Sequence, residues 1–274
     1  MKGTLMTTPN PQGTEMFSLA GKSVLLTGAG GAIGGVLARS LAACGASLGL
    51  QDLEESKVLG LAAEIRASGW SASTFGADLS GTDACATLVA DAHHAMGGIH
   101  VLINCAGINR RKPIDDVTPD DFDAIVAVNM RAVFFLSQAI HPIMKAQGGG
   151  TIVNISSLSA RYSFNTISVY AATKAAVTSM TRSFAREWVA DGIRVNCIEP
   201  AVVQTEFTAP LWDDPKRRVW FKEFTPMGRL AQPHELVGAV IYLASEASSY
   251  VTGQSITIEG GILSGADWDA NQGD

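Results

Sequence analysis

Tyr170 and Lys174 stand four residues apart in the stretch Tyr170-Ala171-Ala172-Thr173-Lys174. A helix continuing through Ala176 and Met180 would place both on one face. A free phenol titrates near ~10, too high for a base at neutral pH, and neighbouring positive charge favours its ionised form. Such a pair could take a proton from a hydroxyl or return one to a carbonyl. Ser157 lies thirteen residues before Tyr170, directly after an apolar run, where its hydroxyl could hold the reacting oxygen in line. Each residue also has an ordinary reading: Ser157 as a turn residue, and Tyr170 as a core aromatic with a wet hydroxyl.

A second group sits near the start. The apolar run 23–27 leads into Gly28-Ala29-Gly30-Gly31-Ala32-Ile33-Gly34-Gly35 and then into a helical run, 36–44. Glycines at a strand-to-helix turn let the backbone approach a pyrophosphate, which the free N–H groups and dipole of the new helix attract. In a chain with 28 glycines, the same stretch could instead be a flexible turn. Asp52 closes the next apolar run, where a carboxylate can accept hydrogen bonds from both hydroxyls of an adenosine ribose and repels a 2′-phosphate. Nothing basic lies in residues 53–55 or 29–33, so the expected cofactor is NAD rather than NADP. Asp52 could also serve as a helix N-cap.

The elements that would position these residues alternate regularly. Strands are expected at 23–27, 46–51, 73–77, 100–104, 150–156, 193–198 and 255–258. Between them, three- and four-residue apolar spacing predicts amphipathic helices, such as 34–44 and 122–140. This rhythm implies an α/β fold of Rossmann type: a doubly wound parallel sheet of about seven strands, helices on both faces, and a ligand site at the carboxyl ends of the strands. Residues 207–229, with Trp212, Trp220 and prolines at 210, 215 and 226, break the pattern. They read as an insertion covering the site or as a plain surface excursion.

Of the 274 residues, 47% are hydrophobic and 17% charged, enough for one sizeable core. One domain is expected over 18–263, between a flexible tail at 1–17 and a second tail at 264–274. The net charge of -6, without a dense basic run, argues against nucleic acid and anionic membrane surfaces as partners. No segment reads as apolar for long enough to span a bilayer. Cys44, Cys85, Cys105 and Cys197 are widely spaced and the five histidines scattered, so no metal is expected and reduced thiols in the cytoplasm fit best.

Taken in order, a set of motifs resembles the short-chain dehydrogenase/reductase family over about residues 18–263. They are Thr27-Gly28-x-x-x-Ala32-Ile33-Gly34, Asp78-Leu79, Asn104-Cys105-Ala106-Gly107, Val128-Asn129, Asn154-Ile155-Ser156-Ser157, Tyr170-x-x-x-Lys174, Pro200-Ala201-x-Val203-x-Thr205, Thr252-Gly253-Gln254 and Glu259-Gly260-Gly261. The resemblance implies an enzyme that passes a hydride between a substrate carbon and nicotinamide, with Asn129, Ser157, Tyr170 and Lys174 as its catalytic group. Lys174 would also bind the nicotinamide ribose, and Asn129 would support a water chain to solvent; its bland reading is a capping or packing amide. By the same resemblance, Gly28, Gly31, Ile33 and Gly34 form the phosphate turn, and Asp78 and Leu79 flank adenine. Asn104, Ala106 and Gly107 back the ribose and nicotinamide, while Pro200, Val203 and Thr205 meet the carboxamide. Three positions depart from the family pattern, where glycine, asparagine and glycine are usual: Ala32, Cys105 and Ala201. All three are small, so local adjustment is expected. The resemblance also suggests a homotetramer in which the helices bearing Asn129 and Tyr170 pack across a two-fold interface.

Arg110 and Arg111 follow in the loop after Gly107. Guanidinium groups bind carboxylates in a planar, bidentate manner, and this segment is similar to that of sugar-acid dehydrogenases in the family. The expected substrate is therefore a small-molecule sugar acid or related anionic polyol, bound by Arg110, Arg111, Ser157 and Tyr170. Alternatively the two arginines are solvated or pair between subunits with Asp115 or Asp116. Rival functions are reduction of 3-oxoacyl thioesters, a neutral polyol or steroid dehydrogenase, and a non-catalytic nucleotide-sensing Rossmann protein.

Overall fold

The structure, a computed structural model, describes residues 13–265. Among these, seven strands run parallel: β1 (Ser23–Thr27), β2 (Ser47–Asp52), β3 (Ala72–Gly76), β4 (Val101–Asn104), β5 (Gly150–Ile155), β6 (Ile193–Pro200) and β7 (Ser255–Ile258). Their order is β3-β2-β1-β4-β5-β6-β7. The chain winds outward to β3 and then crosses back to β4, so the order of winding reverses between β1 and β4 and opens a crevice at their carboxyl ends. Every residue of β1 and of β4 is buried. Continuous apolar runs of this kind are what a sheet covered on both faces demands.

Two layers of helix supply that cover. Helices α1 (Ala32–Ala43) and α2 (Ser56–Ala67) bury Leu37, Leu41, Val58 and Ile65 with Leu26, Leu50 and Val153 on one face. On the other, α3 (Thr82–Met96) brings Leu88 and Val89 against Leu25, Leu102 and Ile152. Next come α4 (Pro119–Val126), a π-helical turn at Ala127–Arg131 and α5 (Ala132–Ala146). They form one continuous helix, Pro119–Ala146. Thr118 starts it with a capping box: its hydroxyl accepts the Asp121 N–H, and the Asp121 carboxylate accepts the Thr118 N–H. Helix α6 (Ser168–Trp188) lies beside it.

The expectation that no segment could span a bilayer is corrected: by length and composition Pro119–Ala146 could do so. Here one face of this helix, through Ile125, Leu136, Ile140 and Met144, is buried in the protein core. The expected bounds, 122–140, fall inside the observed ones.

Residues 13–17, assigned to a flexible tail, form a 3-10 turn, Gly13–Phe17. The last described turn is Ile262–Ser264, and the expected tails otherwise lie outside the described residues. The 207–229 insertion is helical, with α7 (Ala209–Trp212) and α8 (Pro215–Phe224), and is followed by α9 (Val237–Ala244).

Candidate active site

A cavity of about 490 Å³ opens at the carboxyl ends of the central strands. At one end the turn after β1 is shaped by contact. Gly28 has φ +65, and a Cβ there would stand 2.8 Å from the Ala106 Cα; a Cβ on Gly34 would stand 2.2 Å from the Gly28 carbonyl oxygen. Side chains at these positions would fill the turn. Gly31, the N-cap of α1, makes no side-chain cap bond, so the first-turn N–H groups are available to a phosphate. The residues present therefore fit a dinucleotide pyrophosphate. Gly28, Gly31, Ile33, Gly34, Asp52, Asp78, Leu79, Ala106, Gly107, Pro200, Val203 and Thr205 all line this cavity.

The Asp52 carboxylate, also on the wall, accepts the N–H of Gly30 at 3.1 Å and of Leu53 at 2.9 Å. It does not cap α2, whose N-cap is Glu55. The Ser80 N–H, then its hydroxyl, hold the Asp78 carboxyl below the usual carboxylate range. Thr27, quoted in the first motif without a role, and Gln51, given none, join the strand ends. Thr27 Oγ1 accepts the N–H groups of Cys105 and Ala106, while the buried Gln51 accepts from Gly28 N and donates to the Ala77 carbonyl. A polar residue closing an apolar run was their one visible signal.

At the other end, Ser157, Tyr170 and Lys174 share the cavity wall. Ser157 follows β5 in extended conformation, and its Oγ accepts the Ser159 N–H at 3.1 Å. Lys174 Nζ lies 5.5 Å from the Tyr170 ring centroid and donates to the Ile155 carbonyl at 2.7 Å. Burial pushes its ammonium down to about 8. Burial also raises the Tyr170 phenol above its ordinary value, against the lowering effects of a Ser157 hydrogen bond and then the Arg111 charge. Lys174 Nζ thus stands over the Tyr170 ring while donating to a main-chain carbonyl, and the Arg111 charge also acts to lower the phenol. Lys112 N–H donates to the carbonyl of Thr166, four residues before Tyr170, and this link anchors the Arg111 loop to the segment entering α6.

A family model described as "Enoyl-(Acyl carrier protein) reductase" matches residues 28–263. The chain belongs to the short-chain dehydrogenase/reductase family. A gluconate 5-dehydrogenase of Gluconobacter oxydans (strain 621H) is 39% identical over 90% of this chain and 97% of its own length. A 5-keto-D-gluconate 5-reductase of Escherichia coli (strain K12) is 34% identical over 91% and 98%. Among solved structures, a gluconate 5-dehydrogenase from Burkholderia cenocepacia J2315 in complex with NADP and tartrate matches with a TM-score of 0.89 at 38% identity, over 92% of this chain and 98% of that one.

Within this short-chain dehydrogenase/reductase, some residues expected at the site stand behind it. The fully buried Asn129 sits in the π turn, where its amide accepts the Ile108 N–H and donates to the Ile108 carbonyl, both at 2.8 Å. It thus fixes the loop after Gly107. Asn104 does not line the cavity: its amide donates to Asn154 Oδ1 at 2.8 Å, across the paired strands β4 and β5. Arg110 lies outside the cavity wall, with its guanidinium 3.3 Å from Asp121, whose carboxylate Lys112 shares. Asp121, rather than Asp115 or Asp116, is the partner. Arg111 also lies outside the cavity wall, but its charge reaches Tyr170. Cys105 is half-buried, and desolvation pushes its thiol up to about 11, as befits a packing residue. Among the described residues, no cluster of three or more His, Cys, Asp or Glu side chains could hold a metal.

Proposed function

We propose that this oxidoreductase interconverts a secondary alcohol and a ketone on a sugar acid or related anionic polyol, in the manner of a gluconate 5-dehydrogenase, with NAD preferred. The carrying observation is that Ser157, Tyr170 and Lys174 share one cavity wall with the glycine turn and Asp52, and that the Arg111 charge, on the loop after β4, acts on the same phenol. A guanidinium whose charge is felt at Tyr170 suits a substrate with a carboxylate a few bonds from its hydroxyl. Tyr170 would take the hydroxyl proton in oxidation and donate one in reduction, with Ser157 orienting the substrate oxygen. Lys174 and Asn129 hold the surrounding backbone through Ile155 and Ile108. Nicotinamide, when bound, supplies or accepts the hydride.

The preference for NAD rests on the Asp52 carboxylate at the adenosine end of the cavity, where it opposes a 2′-phosphate. The reading extends to a homotetramer in a reducing, cytoplasmic compartment, with the four free cysteines and the exposed Phe134 of α5 in its support. Rates with gluconate-like acids and with neutral polyols, each with NAD and NADP, test the whole. Acids should be favoured, and Arg111→Ala should raise their KM about tenfold or more, as loss of a charged hydrogen bond does. Equal rates on both classes, or a KM indifferent to Arg111, would remove the carboxylate from the substrate.

A further inference from the structure

Glu199, next to last in β6, is fully buried and has no part in the chemistry above. Both its carboxylate oxygens are engaged. Oε2 takes the Arg161 guanidinium, and Oε1 accepts the Thr178 hydroxyl at 2.8 Å. Arg161 lies four residues past Ser157, and Thr178 one helical turn past Lys174. From Thr178 the chain continues: its hydroxyl is 2.9 Å from that of Ser156, which is 2.9 Å from the Lys174 carbonyl oxygen. Because Lys174 Nζ also donates to Ile155, two consecutive residues directly before Ser157 hold Lys174 at both ends. One carboxylate thus meets the loop after Ser157, the helix of Tyr170 and Lys174, and the strand that runs into Pro200.

The number of protons gives the carboxylate a direction-setting role. Three contacts join Glu199, Thr178, Ser156 and the Lys174 carbonyl, yet the two hydroxyls carry two protons. Beside the Arg161 guanidinium, the Glu199 carboxylate accepts the Thr178 hydroxyl in a charge-assisted bond, and Ser156 donates to the Lys174 carbonyl. A glutamine in its place would either turn its NH₂ toward Thr178 and redirect the Thr178 hydroxyl onto Ser156, or face Arg161 donor to donor. Glu199 is buried but Arg161 is exposed, so the attraction is screened on one side and offset by desolvation on the other, and the fold itself has modest need of this pair.

We propose that Glu199 is a positioning residue, whose buried charge sets the distance and orientation between Ser157 and Tyr170 so that both reach one substrate oxygen. This rests on the dehydrogenase reading above and acts through Arg161, Thr178 and Ser156. The test uses the full-length enzyme on whichever alcohol the wild type oxidises. Glu199→Gln should lower kcat about 10- to 100-fold, as misplacement of reacting groups does, with the alcohol KM and dinucleotide Kd changed less than about threefold. The alkaline limb of kcat against pH should move up by about half a unit, because the Ser157 hydrogen bond that lowers the phenol is weakened. Arg161→Gln, at a side chain 47% exposed, should reproduce both changes and carries the test alone if Glu199→Gln does not fold. Unchanged kcat and pH limb in folded variants, or a fall in thermal stability with kcat intact, would overturn the positioning role and leave the dehydrogenase standing. A wild type inactive on every alcohol would strike the underlying reading instead.

Discussion

Tyr170 is where the chemistry concentrates, and its burial has a measurable consequence. The phenol is held above its ordinary value, so at neutral pH it is protonated and ready to donate, whereas oxidation of an alcohol needs the phenolate. Alcohol oxidation should therefore rise with pH into the alkaline range, and ketone reduction should be fastest at neutral pH or below; paired pH–rate profiles check the sign. Tyr170→Phe removes the proton carrier and should cost roughly 10²- to 10⁴-fold in kcat/KM, with dinucleotide binding by calorimetry intact. Near-normal turnover would exclude it as acid and base. At the adenosine end, Asp52→Ala deletes the carboxylate that opposes a 2′-phosphate, and the ratio of kcat/KM for NAD over NADP should fall. A ratio that stays put would place cofactor choice elsewhere. Residue types and spacing made Tyr170, Lys174, Ser157 and Asp52 legible in the sequence. They could not show that Lys174 would bond Ile155, or that Arg111 and not Arg110 would act on the phenol, because those pairings join segments that are distant along the chain.

Among the elements, the turn from β1 into α1 has the least tolerance. Gly34→Ala would drive a methyl group to 2.2 Å from the Gly28 carbonyl, so the turn must open. Overpacking of this kind costs about 1–3 kcal/mol, and Tm should fall together with dinucleotide affinity. An unshifted Tm with normal affinity would mean the turn adapts freely. The strands were readable from apolar runs because both sheet faces are covered, and their observed bounds differ from the expected ones by at most two residues. The π turn at Ala127–Arg131 was not readable. Its extra residue is registered in backbone hydrogen bonds, and no residue type demands it; yet it is what swings Asn129 onto Ile108.

For the molecule as a whole, helix α5 presents Phe134, 38% exposed, beside Phe135 and Phe184. In the proposed tetramer a second copy would cover this aromatic ridge, since apolar surface of this kind favours burial. Phe134→Asp should then shift the species seen by analytical ultracentrifugation from tetramer towards smaller assemblies. A wild type that sediments as a monomer would remove that assembly altogether. The sequence by itself determined the alternation of strand and helix, the crevice at the strand ends, and the residues able to cradle phosphate and move a proton, because these follow from local periodicity and side-chain chemistry. Tertiary structure alone decided which charges meet: Arg110 on Asp121 and Arg161 on Glu199. Electrostatic partners are chosen by distance and burial in three dimensions, and neither is written in the spacing along the chain.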